Sequence, residues 1–173
     1  VGEETGVKDS QRILTEFSGD LEGYTPEEKK EIMRAARMAA ELHMDQRRES
    51  GEHYLVHPVA VARILAGMKM DAPTVVAALL HDVLEDTPLE RKELRAEFGK
   101  EVESLVHGVS KISQLRGKSR RVQQAEVMRK MLVAMVRDIR VILIKLADKL
   151  HNMRTLEYLD DETRRRTAED CLD

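Results

Sequence analysis

The chain has few aromatic residues and few residues that break helices. Aromatic side chains make up 3% of the 173 residues and tryptophan is absent, so a core must be built from aliphatic side chains, alanine and methionine. The sequence holds four prolines and nine glycines, and these are the two residue types that helix interiors tolerate least. The composition therefore predicts an all-α fold.

The sequence also has a single cysteine and no long apolar segment. Cys171 alone cannot form an intramolecular disulfide or a cysteine-rich zinc site. No apolar run approaches the roughly 20 residues that a transmembrane helix needs, and no signal peptide is recognisable. The net charge of -3 argues against duplex nucleic acid as a main partner. We therefore expect a cytoplasmic protein without a membrane partner.

The length suits one domain preceded by a short extension. Residues 1–25 are predicted to form an N-terminal extension with a loose start and a short helix from Gln11 to Phe17. Thr25 and Glu28 have the spacing of a capping box, which begins a helix, so the main domain is predicted over residues 26–173. Because the chain does not start with methionine and ends without a glycine or proline terminator, we expect it to be part of a longer protein.

The sequence HDVLEDT at 81–87 places one histidine and three carboxylates within six residues, directly after an apolar run. We predict that one helix continues from the apolar run through this segment, so that His81 stacks with Glu85 and Asp82 stacks with Asp86. Burying so much potential charge is costly unless a cation neutralises it. A bound metal ion is the simplest candidate, and the alternative is that the His-Asp pair only caps or bridges helices.

Two further residues are candidate ligands for the same ion. His57 opens a predicted helix, and Asp148 lies inside an apolar helix predicted from Ile139 to about Leu159. Two imidazoles and two carboxylates suit manganese, iron, zinc or cobalt, and the sequence does not choose among these metals. His53 is a competing ligand four residues before His57, and we prefer His57 because proline follows it.

The late helix carries a second pattern. Asp148, Asn152, Thr155 and Leu159 recur at i, i+4, i+7 and i+11, which places them along one face of a continuous helix. A polar stripe within an apolar helix indicates a cleft, and the alternative is a face turned to solvent. The segment 110–124 is basic and is predicted to be a loop. We favour a solvated linker for its residues 116–121, and the alternative is that they close over the cleft.

Four segments together resemble the RelA/SpoT-homologue guanosine tetraphosphate (ppGpp) hydrolase domains, which belong to the HD superfamily of metal-dependent phosphohydrolases. The segments are RRESGEHYLVHP at 47–58, HDVLEDT at 81–87 and LADKLHNMRTL at 146–156, together with the preceding run VRDIRVILIK at 136–145. The resemblance covers roughly residues 26–173. It implies an all-helical HD-domain bundle with a metal site between helices, followed in full-length members by synthetase and regulatory domains.

The resemblance also implies roles for individual residues. It implies one Mn²⁺ ion held by His57, His81, Asp82 and Asp148, and catalytic roles for Glu85 and Asp86 in activating and placing water. It implies guanine recognition by Arg48, Ser50, Thr155 and Leu159, with Asn152 near the ribose and phosphates. From the sequence itself, Arg47 and Lys111 are further cationic candidates for binding the substrate's phosphates.

The implied reaction is hydrolysis of guanosine tetra- or pentaphosphate to GDP or GTP and pyrophosphate. Glu49 stands where this family usually has lysine and His53 where it usually has proline, and we expect these departures to affect affinity or specificity before activity. One alternative is another HD phosphohydrolase, such as a nucleotidase or cyclic-nucleotide phosphodiesterase. The other is a catalytically silent regulatory domain that binds nucleotide without hydrolysing it.

Overall fold

The computed structural model describes residues 2–48, 50–113, 137–156 and 159–172, together with residues 129 and 133. Within these ranges the chain is helical, and the isolated bridge between Arg47 and His53 is the one strand-like pairing. The all-α prediction is confirmed. The helices are α1 (Gly2–Gly19), α2 (Pro26–Leu42), α3 (Val56–Gly67), α4 (Ala72–Leu79), α5 (Val83–Asp86), α6 (Arg91–Ser113), α7 (Arg140–Arg154) and α8 (Asp161–Leu172).

Helix α4 lies at the centre of the fold, and α2, α3, α6 and α7 pack against it. Its residues are buried except for Pro73, as expected for a helix with neighbours on all sides. In the described part of the chain, no helix is long and apolar enough to cross a membrane. Glu49 and most of the predicted basic loop lie outside the described residues. So does most of the segment Ala125–Val136, over which the sequence also predicts a helix.

In the N-terminal region, one prediction is confirmed and another is wrong. The predicted capping box is confirmed: Glu28 N donates to Thr25 Oγ1 at 3.3 Å, and Thr25 N donates to Glu28 Oε2 at 2.8 Å. The predicted loose start is wrong, because α1 already begins at Gly2. Phe17 anchors this helix in the core, and extending a nucleated helix costs little because each added residue brings a backbone hydrogen bond.

The segment HDVLEDT does not continue the helix before it, so the predicted stacking of His81 on Glu85 and Asp82 on Asp86 within one unbroken helix is wrong. Helix α4 ends at Leu79, and α5 starts at Val83 after a turn. His81 Nδ1 lies 2.7 Å from Ala78 O, and the imidazole therefore takes one of the carbonyls that a continuing helix would need. The break places His81 and Asp82 in a joint between two helices.

The sequence predicts two short helices, Leu89–Phe98 and Val102–Val109, separated near Gly99, and α6 is interrupted there. Gly99 has φ 80° and ψ 174° inside the span, a conformation that favours glycine. Across this kink, Arg91 Nε donates to Glu103 Oε1 at 2.7 Å. The ion pair therefore joins the two halves of the helix across the kink.

Helix α7 confirms the helix predicted from Ile139, but it ends at Arg154 and not near Leu159. Thr155 N donates to the carbonyls of His151 and Asn152, and this turn ends the helix. Leu159 therefore lies beyond the helix and does not share the stripe of Asp148. The apolar residues Leu146, Leu150 and Met153 are exposed, because the opposite face buries Asp148 and His151.

Candidate active site

The four predicted metal ligands come together from three parts of the fold. His57 lies in the first turn of α3, His81 and Asp82 lie in the joint before α5, and Asp148 lies in the middle of α7. His57 Nε2 is 3.2 Å from Asp148 Oδ1 and 3.8 Å from Asp82 Oδ2. His81 Nε2 is 3.1 Å from Asp82 Oδ2 and 3.9 Å from Asp148 Oδ1. Ligand atoms of His57, His81 and Asp148 all lie within 4.8 Å of one another.

One nitrogen in this cluster is without a hydrogen bond. His81 is fully buried, its Nδ1 is engaged with Ala78 O, and its Nε2 has no hydrogen-bond partner among the described residues. The nearby Asp82 Oδ2 is within ion-pair distance but outside hydrogen-bond geometry. A buried polar atom without a partner is rare in folded proteins and needs an explanation. Aimed at three other nitrogen and oxygen ligands, it fits a site for a divalent metal ion.

The electrostatics of the cluster are those of a cation site. Burial alone would lower the pKa of His81, but the negative charge of Asp82 and then of Asp148 raises it to about 9. Burial works against ionisation of the two carboxyl groups, yet their histidine partners hold both pKa values below the usual range. Burial lowers the pKa of His57. A proton on His81 therefore balances the carboxylates in the metal-free protein, and a metal ion would replace it.

Lys145 adds a positive charge that the sequence reasoning missed. Its Nζ donates to Asp148 Oδ2 at 2.7 Å, and the exposed fraction of its side chain is 16%. Burial acts to lower the pKa of this ammonium, and the charge of Asp148 overcomes it and raises the pKa. Lys145 therefore holds one oxygen of Asp148, while Oδ1, the other oxygen, faces the histidines.

The predicted catalytic residues lie on the short helix that follows Asp82. Burial and then the charge of Asp82 raise the pKa of Glu85, which makes this carboxylate a better proton acceptor than an ordinary glutamate. The single proton of the Tyr54 hydroxyl is shared between two carboxylates: Oη lies 2.7 Å from Asp82 Oδ2 and 3.1 Å from Asp86 Oδ2. Tyr54 stacks on His43 with ring centroids 4.4 Å apart. The stacked tyrosine thus joins a predicted metal ligand to a predicted catalytic carboxylate.

Arg48 and Asn152, two of the predicted nucleotide contacts, lie directly behind the metal ligands. Arg48 Nη1 is 3.2 Å from His151 Nδ1, and its Nη2 donates to Asn152 Oδ1 at 3.2 Å. Asn152 Nδ2 donates in turn to Asp148 Oδ1 at 2.9 Å. Burial, with smaller contributions from the neighbouring His57 and Arg48, lowers the pKa of His151 to about 4.

The other predicted substrate residues lie in the loop before α3, at the end of α6 and after the end of α7. Ser50 Oγ donates to Glu52 Oε2 at 3.1 Å within its own loop, and Arg47 Nη1 donates to Gly51 O at 3.4 Å. Thr155 is at the end of α7, where its hydroxyl donates to the carbonyls of the last turn. The remaining two are Leu159, half-buried between α7 and α8, and Lys111, exposed in the last turn of α6.

The competing ligand His53 is engaged elsewhere. Its Nε2 is 3.2 Å from Ser10 Oγ of α1, and its Nδ1 accepts from Leu55 N at 3.2 Å. Both ring nitrogens thus join the loop to α1 and to the start of α3. The structure places His57, and not His53, in the cluster with His81 and Asp148.

Three side chains at the site, Tyr54, Lys145 and His151, were missed from the sequence. Lys145 and His151 are three residues before and after Asp148, a spacing that places side chains on one side of a helix. That signal was available once Asp148 was proposed as a ligand. Tyr54 gave no such signal, because its contacts with Asp82 and Asp86 join a loop to a distant turn.

Comparison with known proteins defines the class of this fold and site. Residues 35–173 match the family model described as HD domain. This match covers most of the chain. The chain therefore belongs to the HD domain family.

Individual relatives confirm the resemblance to RelA/SpoT homologues. The chain is 52% identical over 154 residues to the bifunctional (p)ppGpp synthase/hydrolase SpoT of Escherichia coli K12, covering 88% of this chain and 22% of that protein. It is 50% identical over 168 residues to the guanosine-3′,5′-bis(diphosphate) 3′-pyrophosphohydrolase of Borreliella burgdorferi, covering 96% of this chain and 25% of that protein. The chain thus spans about a quarter or less of the length of these two relatives.

A solved structure agrees with these relatives. It is that of a metazoan orthologue of SpoT that hydrolyses ppGpp and plays a role in starvation responses. The two chains are 31% identical with a TM-score of 0.61, and the match covers 79% of this chain and 78% of the other. The likeness in structure therefore extends over most of both chains.

Proposed function

We propose that this chain hydrolyses the 3′-pyrophosphate of guanosine tetra- or pentaphosphate, giving GDP or GTP and pyrophosphate, in the turnover of stringent-response nucleotides. The names of the relatives support the substrate. One geometric observation carries the proposal: Arg48, the proposed nucleotide contact, bonds to the two α7 residues that contact His57 and Asp148. A nucleotide held by Arg48 would therefore lie next to the metal cluster.

The proposed cofactor is Mn²⁺, held by His57, His81, Asp82 and Asp148. Two imidazoles and two carboxylates suit a first-row divalent ion, and the family resemblance favours manganese among these. Such an ion polarises a phosphoryl oxygen and makes a bound water more acidic. Because Lys145 holds Asp148 Oδ2, this carboxylate is oriented before any ion binds.

Glu85 and Asp86 are the proposed catalytic residues. The raised pKa of Glu85 suits it to accept the proton of the attacking water. Asp86 is positioned by the hydrogen bond from Tyr54 and by the bond from Gln46 Nε2 to its backbone carbonyl at 3.0 Å. These contacts orient the second carboxylate, which we propose places the water for attack on the 3′-pyrophosphate.

We also propose which residues contact the base, the ribose and the phosphates of the nucleotide. Arg48 provides a planar guanidinium for the guanine base, and Asn152 lies between Arg48 and Asp148, near the proposed position of the ribose. Arg47 and Lys111 supply positive charge for the phosphates. The remaining base contacts that we propose are Ser50, Thr155 and Leu159.

The organisation of the longer protein also stays a prediction. We propose that residues 26–173 form the hydrolase domain, that residues 1–25 are an extension of it, and that synthetase and regulatory domains belong to the same protein. The coverage of the long relatives and the name synthase/hydrolase support this arrangement. The cytoplasm remains the predicted location.

A pyrophosphate-release assay with added Mn²⁺ tests the function. We expect release from ppGpp and no turnover of AMP or cyclic nucleotides, with activity lost when a chelator is added. Turnover of AMP or a cyclic nucleotide in place of ppGpp would indicate another HD phosphohydrolase. Binding of ppGpp without turnover of any substrate would indicate a silent regulatory domain.

A pair of variants separates catalysis from metal binding. Glu85→Gln should bind Mn²⁺ as the parental chain does and lose about 10²–10⁴-fold in turnover, whereas Asp82→Ala should lose the ion itself. Glu162→Gln, an exposed change in the first turn of α8, is the matched control. Full turnover by both Glu85→Gln and Asp82→Ala would refute these assignments.

A further inference from the structure

His151 is a buried histidine that contacts two functional groups at once through one nitrogen. Its Nδ1 is 2.9 Å from His57 Nδ1 and 3.2 Å from Arg48 Nη1. The rings of His151 and His57 have centroids 5.0 Å apart. The metal cluster is on the other edge of the His57 ring, where Nε2 faces Asp148 Oδ1 at 3.2 Å.

The contact with Arg48 determines which of the two facing nitrogens, His57 Nδ1 or His151 Nδ1, carries the hydrogen between them. A guanidinium carries only donors, so His151 Nδ1 must present its lone pair to Arg48. That nitrogen then carries no hydrogen, and the proton between the two imidazoles belongs to His57 Nδ1. With its proton on Nδ1, a neutral His57 ring has its free lone pair on Nε2, the atom that faces Asp148 and Asp82.

We infer that His151 is a positioning residue, which fixes the tautomer and ring orientation of His57 so that His57 Nε2 is presented to the metal ion. The inference rests on the metal site of the proposed function. Metal-binding histidines commonly use their second nitrogen to donate to an oriented acceptor, and loss of such an acceptor weakens metal binding. Here the acceptor is another histidine, and Arg48 in turn holds its lone pair in place.

The test compares two substitutions of similar size. His151→Asn keeps an acceptor near the position of Nδ1, whereas His151→Leu has a similar shape and no acceptor. His107→Leu, in the half-buried part of α6, is the control for loss of an imidazole elsewhere. Binding of Co²⁺ alone is followed in each purified chain by its visible absorption and by competition with a chelator.

We expect His151→Leu to bind Co²⁺ about 10–100-fold more weakly, and His151→Asn and His107→Leu to stay close to the parental affinity. Unchanged affinity in His151→Leu would overturn the inference, and so would equal losses in His151→Leu and His151→Asn, which would indicate packing alone. If the parental chain bound no Co²⁺, the metal site itself would fail together with this inference. The first two results leave the proposed function intact.

A measurement on the parental chain does not depend on how the variants fold. Long-range ¹H–¹⁵N spectra of imidazole groups distinguish the two tautomers of each histidine. In the metal-free protein we expect His57 to carry its proton on Nδ1 and His151 to carry its proton on Nε2. A proton on Nε2 of His57 would overturn the inference, whatever the metal affinities are.

Discussion

Replacing Asp148 by asparagine tests whether the cluster is a buried charge network completed by a metal ion. The substitution keeps the shape of the side chain and removes its charge. Asp148 accepts from Lys145 and Asn152, and its Oδ1 also faces His57 and His81. The exposed fraction of its side chain is 7%, so water does not solvate the positive partners that lose this carboxylate.

The expected cost follows from this burial. Removing one partner of a buried ion pair costs about 3–5 kcal/mol, because the other charge is left without compensation. For a chain of this size that loss corresponds to a fall in melting temperature of about 6–20 °C. The control is Asp161→Asn, whose carboxylate is 97% exposed and 3.3 Å from Arg164, and we expect it to cost about 1 kcal/mol or less.

Thermal and urea unfolding with a chelator, and again with excess Mn²⁺, provide the assay. In the parental chain, Mn²⁺ at about 100 times its dissociation constant should add about 2.7 kcal/mol of stability. Asp148→Asn should gain little or nothing from the same addition. Equal losses in Asp148→Asn and Asp161→Asn would refute the buried network, and undiminished stabilisation of Asp148→Asn by Mn²⁺ would remove Asp148 from the metal site.

Three further results are expected. Tyr54→Phe removes the hydroxyl that orients Asp82, so Mn²⁺ affinity measured by calorimetry should fall about 10–100-fold; unchanged affinity would contradict this role. The folded metal-free protein holds the proton of His81 to about pH 9, against 6.5 in the unfolded chain. This stabilisation is complete below pH 6.5 and is lost as the pH rises to about 9, so the melting temperature in chelator should fall over that window but not with excess Mn²⁺. Gly99→Ala forces a side chain into φ 80° and should lower stability by about 1–2 kcal/mol in urea unfolding, whereas Gly67→Ala, at a helix end with ordinary backbone, should not.

Features that depend only on residues close together in the sequence could be predicted from it. The capping box at Thr25 and Glu28 and the interruption at Gly99 are local patterns, and both are present in the structure. The metal ligands were proposed from residue types that are costly to bury. In the structure these residues lie close together, as expected because buried charged groups must be neutralised by one another or by an ion.

The break after α4 could not be read in this way. Apolar periodicity predicts a helix through residues 75–87, and the residues that end it are not helix breakers. The helix ends because the His81 ring takes the carbonyl of Ala78. In this position the His81 ring lies beside Asp82 and the distant Asp148, and apolar periodicity does not show the approach of Asp148.

The buried face of α7 could not be predicted from hydropathy for a related reason. This helix has apolar residues on more than one face, and hydropathy alone does not show which face is buried. The structure exposes Leu146, Leu150 and Met153 and buries Asp148 and His151. A polar face is turned inward because its partners from other elements, such as His57 and Arg48, lie there, and a single sequence does not show those partners.

The wide spacing of the ligands along the chain has a consequence for stability. His57 and Asp148 are separated by more than half of the sequence. The whole sequence has one cysteine, so no internal disulfide links distant parts of it. An ion bound to both would act as a reversible cross-link over a loop of roughly 100 residues, for which the loss of unfolded-chain entropy is worth about 4–5 kcal/mol. Metal supply would then regulate how long the folded chain persists, independently of its turnover.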